Sequence, residues 1–371
     1  MDWSDIEGLF SFGDDTSPLM MLVWILPVIL FVFYGQRIQL LVSSGEIKKN
    51  IKKLDEYGAA SMEKTLSYVQ GLKVADPDSE RRIRVMADYF TIPPVDMDPT
   101  GVVAKVRHVV RSRETLTKTQ VEAMLGRSDG IQTATVQTLL EVTASLRLVH
   151  RVVNHMYLTA KKQNNYPLIL PLQMMLPFVM EEAEAMMDAM GAFSSGQPVG
   201  DAVGPTVLAN MMRGLPKESI AHQTVCARAE MYDRRVILVK ADGPAPVVGR
   251  PDEALHSIIR EGRPAAIIMV DAALKMEGEE SGSVSRGFGA AIGGTGAERF
   301  RIEEVASKYD IPVYSVVVKQ SVKESITLMT SPIYGAVAEA TSMVSDIIRE
   351  DTVKGRAVVV IGVGNTGGVG Q

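Results

Sequence analysis

Ala265-Ala266-Ile267-Ile268-Met269-Val270-Asp271-Ala272 decides how the C-terminal half of this chain is read. A short, unbroken apolar run between glycine and proline signals is the pattern of a strand buried on both faces, here with an acid immediately past it. The pattern repeats at Val236-Ile237-Leu238-Val239, at Val313-Tyr314-Ser315-Val316-Val317-Val318 and at Ala357-Val358-Val359-Val360-Ile361-Gly362-Val363. Between these runs lie helical patterns at about 252–261, 300–309, 322–329 and 333–350. Strands alternating with helices predict an α/β domain over 193–371 with a mostly parallel sheet covered on both faces. In such domains ligands gather at the C-terminal ends of the strands, so the residues after each run are where chemistry is to be sought.

Upstream the period changes. Residues 37–192 lack strand alternation and place apolar side chains at helical spacing: Val102, Val103, Val106, Val109 and Val110, then Leu139, Leu140, Val142, Leu146, Val149, Val152 and Val153. This predicts an all-α region, interrupted at Pro93-Pro94 and at Asp98-Pro99, where Asp98 is placed to cap a helix. Tyr166–Met190 is rich in Met, Leu and Pro and reads as core methionines in irregular helices, or as an adaptable interaction surface. His150 and His155 are five apart, which is not the spacing of a two-histidine metal site, so these and His108 read as packing or surface residues.

Residues 16–36 carry no charge and are long enough at 1.5 Å per residue to cross a hydrocarbon core of about 30 Å. The preceding tail, 1–15, is acidic where a secretory signal needs positive charge. Arg37, Lys48, Lys49, Lys52 and Lys53 follow the segment. The expectation is an uncleaved single-pass anchor in the cell membrane, with its N-terminus outside and the bulk of the chain cytoplasmic. The overall expectation is thus α+β: a tail, one transmembrane helix, an all-α region and a C-terminal α/β domain.

Composition narrows the function classes. With 371 residues, 46% hydrophobic and 22% charged, the chain is long enough for about two folded domains and is neither disordered nor disulfide-stapled. A net charge of -5 without basic clusters argues against nucleic acid as the main ligand. The single cysteine, Cys226, forms no intrachain bridge and reads as a small buried apolar residue. One span does not make a channel or transporter unless the anchor oligomerises, and a homo-oligomer stays open.

Two further segments lie where strand ends meet helices. Gly200-Asp201-Ala202-Val203-Gly204-Pro205 opens a helix, and Val360-Ile361-Gly362-Val363-Gly364-Asn365-Thr366-Gly367 ends the sequence. The latter holds the Gly-x-Gly-x-x-Gly spacing of dinucleotide sites. Such a site needs a following helix and an acid about 20 residues later, neither of which fits before Gln371, so it reads as a strand and a glycine turn.

Gly200-Asp201-Ala202-Val203-Gly204-Pro205 resembles the Gly-Asp-Ala-Leu-Gly-Pro motif of the sporulation-protein and spore germination protease group. It is more distantly similar to the acidic loop of hydrogenase maturation endopeptidases. Ile267 to Ala272, the glycine-rich Gly282 to Gly296 with Gly293 and Gly294, and Asp310-Ile311-Pro312-Val313 follow in the order of the germination protease. Over its full length the chain also resembles an archaeal membrane-anchored family of unknown function.

The protease resemblance, which covers about 190–350, implies a phosphorylase/hydrolase-like sheet and functional acids at Asp201 and Asp271, with a divalent metal as an optional cofactor. In the maturation enzymes a Gly-x-Gly-Asn strand precedes the acidic loop. Here Gly362-Val363-Gly364-Asn365 comes last, and a circular permutation is one explanation, which would bring Asn365 beside Asp201. The histidine metal contact of those enzymes has no clear counterpart, since His222 and His256 lack its motif context.

Two carboxylates a few ångströms apart resist double ionisation, so a pair can divide acid and base roles on a water attacking an amide. Lys275 and Glu277, close behind Asp271, are candidates to touch a substrate, with Gly200 and Gly204 shaping the loop. Against this, Asp201 could cap a helix and Asp271 could fasten a loop. Gly282–Gly296 reads as a mobile lid or as a linker of turns. The sequence therefore supports a membrane-anchored peptidase or related hydrolase acting on a protein or peptide, and, as the alternative, a non-catalytic binding or regulatory protein.

Overall fold

The computed structural model describes residues 18–72, 76–90, 101–126, 129–163, 166–293 and 296–370, without the side chains of 18–24, 30–43, 166 and 167. The acidic tail, the Pro93-Pro94 and Asp98-Pro99 breaks and Gly294 lie outside these residues. So do most of the side chains of the 16–36 segment. Among the described residues no helix is long and apolar enough to cross a membrane.

The helical region comprises α1 (Pro18–Gly71), α2 (Ser79–Met86), α3 (Val102–Leu125), α4 (Gly130–Lys162) and α5 (Tyr166–Ser194). Contacts group the chain into two compact units, residues up to 52 with 152–177, and 53–151 with 178–371. In the first, Ile47, Val153, Tyr157, Ile169 and Leu172 are buried, and Ser44 and Tyr157 share a hydrogen bond of 2.8 Å. Met174 and Met175 of α5 are exposed. In the second, Met62 and Val69 of α1 pack with Ile83 and Met86 of α2, Val121 and Met124 of α3, and Val136 and Leu140 of α4. The valines at 102, 103, 106, 109 and 110 lie on α3, as their helical spacing predicts, and are half-buried.

The rest of the second unit is an α/β fold. After a 3-10 turn at Gly200–Ala202 come α6 (Val203–Met211), β1 (Lys217–Ala221), β2 (Thr224–Met231) and β3 (Arg234–Ala241). Then follow α7 (Pro251–Glu261), β4 (Ala266–Leu274), β5 (Val284–Phe288), α8 (Ala297–Lys308) and β6 (Val313–Gln320). The short α9 (Val322–Ile326), α10 (Ser331–Glu350) and β7 (Ala357–Gly362) complete it. The strands form one sheet in the order β1-β2-β3-β7-β4-β6-β5.

β3, β7, β4 and β6 are mutually parallel, whereas β1, β2 and β5 pair antiparallel at the edges. The expectation of a mostly parallel sheet is therefore corrected to a mixed one. The reason is visible in the edge sequences. Lys217-Glu218-Ser219-Ile220-Ala221 and Val284-Ser285-Arg286-Gly287-Phe288 are largely exposed or half-exposed, and they leave no continuous apolar run to read.

Period-2 alternation sorts the central strands into two cores. Val358 and Val360 of β7 face α6 and α10, while Val359 and Ile361 face α7 and α8. The sheet is thereby covered on both faces, as its apolar centre requires. Helix α10 buries Ile333, Val337, Ala340, Val344 and Ile347, an i, i+4, i+7 stripe, each large one contributing roughly 1.5–3 kcal/mol. Helix α7 starts with Pro251 in its first turn, beside Asp252 and Glu253, which suit the positive end of its dipole, and carries Arg260 in its last turn. The last strand, β7, enters the middle of the sheet between β3 and β4.

A candidate carboxylate site at the strand ends

The N-terminal end of α6 rests on the C-terminal ends of β4 and β7. Two glycines permit this approach. A Cβ on Gly204 would lie 2.3 Å from the Val363 carbonyl oxygen and 2.4 Å from that of Val270. A Cβ on Gly364 would lie 1.9 Å from the Asp201 carbonyl oxygen, and its φ of +130° is itself one that L side chains rarely adopt. The Val363 N–H donates to the Val270 carbonyl at 2.8 Å, continuing the β4–β7 ladder to the rim. Next along, the Asn365 N–H donates to Asp201 Oδ2 at 2.8 Å. Asn365 is thus beside Asp201, as expected, and the contact is made by its backbone; its Oδ1 accepts from the Gly367 N–H at 2.8 Å.

Asp201 is not a helix cap. Neither the 3-10 turn that holds it nor α6 has a side-chain cap hydrogen bond. Asp271, in β4, is 5% exposed and its Oδ1 accepts from the Ala272 N–H at 2.7 Å. Both acids border one cavity of about 340 Å³, with Gly293, Glu298, Val363 and Gly364 beside them. Arg250 and, from α3, Val110 and Glu114 close its other side. This volume falls within the range of small-ligand sites.

The electrostatics follow from this burial. Loss of water raises the Asp201 carboxyl above its usual range, opposed by the Asn365 N–H. Asp271 is raised further, first by burial and then by the charge of Asp201, against the N–H groups of Ala272 and Gly293. The charge of Asp201 thus disfavours ionisation of Asp271. Of the two, Asp271 is pushed up the more strongly, while Asp201 keeps a backbone N–H donor on its carboxylate.

A second cleft of about 590 Å³ adjoins this cavity and shares Glu114, Val248, Gly249 and Arg250 with it. Asn365 and His222 line it, together with Lys118, Glu122 and Glu141. Burial and the neighbouring Lys118 and Arg250 push the His222 imidazole down, towards its neutral form. Arg250, with 14% of its side chain exposed, pairs with Glu114 at the boundary of the two spaces. Arg250 and Glu114 could not be singled out from sequence, because neither sits in a motif and they meet across 136 positions.

The other expected site residues are placed differently. Gly200 packs where a Cβ would meet the Glu324 carbonyl at 2.1 Å, a structural role under α9. Lys275 and Glu277 follow the end of β4 and do not border the cavity; Glu277 is exposed. Cys226 is buried in β2, and burial with the nearby Glu218 pushes its thiol up to about 12, which makes it a packing residue.

Among the described residues no group of three His, Cys, Asp or Glu is arranged to hold a metal. Two carboxylates with space for water do not make a zinc set of nitrogen and sulfur ligands. They suit a hard cation that keeps part of its water shell.

Residues 21–196 match the family model described as the N-terminal domain of a protein of unknown function (DUF1512), and residues 199–370 match the corresponding C-terminal domain. The chain belongs to this family and carries both of its domains. No curated protein matches it.

Proposed function

We propose that the protein is a membrane-anchored hydrolase, of peptidase type, that activates water with the Asp201–Asp271 pair. The observation that carries this reading is the meeting of two acids, distant in sequence, in one cavity at the C-terminal ends of the central strands. Ionised Asp201 would take the proton of a water held between the two, and protonated Asp271 would hydrogen-bond the scissile carbonyl and then protonate the leaving amine. The Gly293 N–H, which bonds Asp271, keeps that carboxyl oriented. Where a divalent cation takes part, Asp201 and Asp271 are its protein ligands, and it would supply Lewis acidity to the water.

The likeness of Gly200–Pro205 and Ile267–Ala272 to the germination protease group supports the same pairing, and the central position of β7 supports the permuted reading. The uncharged 16–36 segment supports the anchor, with Ile25, Leu26, Val28 and Ile29 exposed on α1. The basic residues that follow the segment favour a cytoplasmic site.

The test is incubation of the full-length chain with a proteome-derived peptide library, followed by mass spectrometry of new termini. New termini with the wild type, absent with Asp201→Asn and Asp271→Asn, would sustain the reading. If wild type and variants give the same peptides, the reading fails and a non-catalytic binding role replaces it.

A further inference from the structure

The inner face of α3 is only half-buried: it packs on α8 and, beyond that contact, borders open space. None of the side chains from Val102 to Gln120 is buried; only Val121 and Met124, in the last turn, are. Val110 and Glu114 line the cavity of the two acids, and Arg111, Glu114 and Lys118 line the cleft beside it. Arg111, Glu114 and Lys118 follow at i, i+3 and i+7, and Val110 and Glu114 at i and i+4, the spacing of one helical face. A helix face with this little apolar burial is held by something else.

It is held by charge. Arg107 donates to Glu253 at 2.8 Å, and Arg111 pairs with the same carboxylate. Both guanidinium groups also lie within 3.9 Å of the Asp252 carboxylate, which has 1% of its side chain exposed. One turn further, Glu114 pairs with Arg250. Arg250, Asp252 and Glu253 stand at the start of α7. The attachment is imperfectly satisfied: both Asp252 oxygens, the Nε of Arg107, and the Nε and Nη2 of Arg111 are buried without a hydrogen-bond partner. Such a cluster holds its parts together by charge more than by fitted hydrogen bonds, so breaking it costs less than unpacking a core.

We propose that α3 from Val102 to Gln120 is a lid over the Asp201–Asp271 cavity, latched at Asp252, Glu253 and Arg250 and hinged where Val121 and Met124 enter the helical core. With the latch open, Val110 and Glu114 leave the cavity wall, and the cavity and the adjoining cleft become one groove. An extended chain needs such an opening to reach acids that α3 otherwise covers. The lid stands independently of whether the site hydrolyses anything, because it rests on the packing and pairing of α3 alone.

Hydrogen exchange by mass spectrometry on the full-length chain tests it. Raising salt from about 0.1 M to about 1 M shortens the screening length from about 10 Å to about 3 Å, which weakens partly exposed pairs. The expected result is exchange at least tenfold faster in peptides from 102–120, with protection retained in 121–125 and in β7. Glu253→Gln, which uncharges the carboxylate shared by Arg107 and Arg111, is expected to do the same at low salt. Unchanged exchange in 102–120 under both conditions would overturn the proposal. Loss of protection in 102–120 only together with β7 would overturn it too, since that is global unfolding.

Discussion

Asp271→Asn should gain stability relative to the wild type as the pH rises. The side chain is 5% exposed, and burial and the charge of Asp201 raise its carboxyl well above the usual range. Between the unfolded pKa, about 3.9, and the raised folded value, the folded state binds more protons than the unfolded one. Wild-type stability therefore falls with rising pH across that window. The slope is at most about 1.4 kcal/mol per pH unit for one proton. Asparagine keeps the shape, accepts the Ala272 N–H through its oxygen, and has no proton to lose. The one cost is that its amide hydrogens face the Gly293 N–H instead of an acceptor, a pH-independent loss of about 1–3 kcal/mol.

The informative quantity is thus the change in the difference between variant and wild type, measured by denaturant unfolding from pH 4 to pH 8. That difference should grow in favour of the variant by up to about 1.4 kcal/mol per unit and then level off. In thermal scans this corresponds to roughly 2–4 °C per kcal/mol. A constant difference would refute the raised carboxyl. A difference that moves against the variant with rising pH would show an Asp271 carboxylate stabilised by its backbone bonds, the behaviour of a loop fastener.

Further outcomes follow from individual side chains. Gly364→Ala places a Cβ against the Asp201 carbonyl at a φ of +130°, so it should cost more than about 2 kcal/mol in urea unfolding and displace Asp201. Lys240 is 1% exposed, its amine donates to the Ala241 carbonyl, and burial lowers its pKa to about 8. The folded state then binds fewer protons than the unfolded one between pH 8 and the unfolded pKa of about 10.4, so wild-type stability rises with pH across that window. Lys240→Met should therefore gain most over the wild type near pH 7, by about 3 kcal/mol, and lose that advantage by pH 10.5 in the same unfolding assay. Cys226, with its thiol pushed up to about 12, should resist Ellman's reagent at pH 8 and react at once in denaturant.

How legible the molecule is from its sequence differs by element, for physical reasons. The four runs at 236–239, 265–270, 313–318 and 357–363 are the four parallel strands at the centre of the sheet. Burial on both faces removes polar residues from such strands and leaves an unbroken apolar signal. β1, β2 and β5 carry water on one face or at an edge, and their mixed sequences resemble loops. Asp201 and Asp271 are picked out by motif resemblance and by the end of an apolar run; the structure puts Asp271 inside β4, which runs on to Leu274, and brings both acids to one cavity. Arg250, Glu114 and Val110 were not legible, because walls built from a distant helix leave no local pattern. The valines of α3 were legible as a helix, which the structure has, but their period could not say that this face borders a cavity, because periodicity reports a direction and not what lies in it.

The claim on which the account rests is that Asp201 and Asp271 titrate as one unit. Carbon-13 titration of aspartate-labelled protein, with Asp271→Asn used to assign the resonance, measures this directly. The Asp271 carboxyl should stay protonated well above the range of an ordinary aspartate, and Asp201→Asn should bring it down by removing the opposing charge. An Asp271 resonance that titrates near an ordinary aspartate, or one that is indifferent to Asp201→Asn, would contradict the paired site.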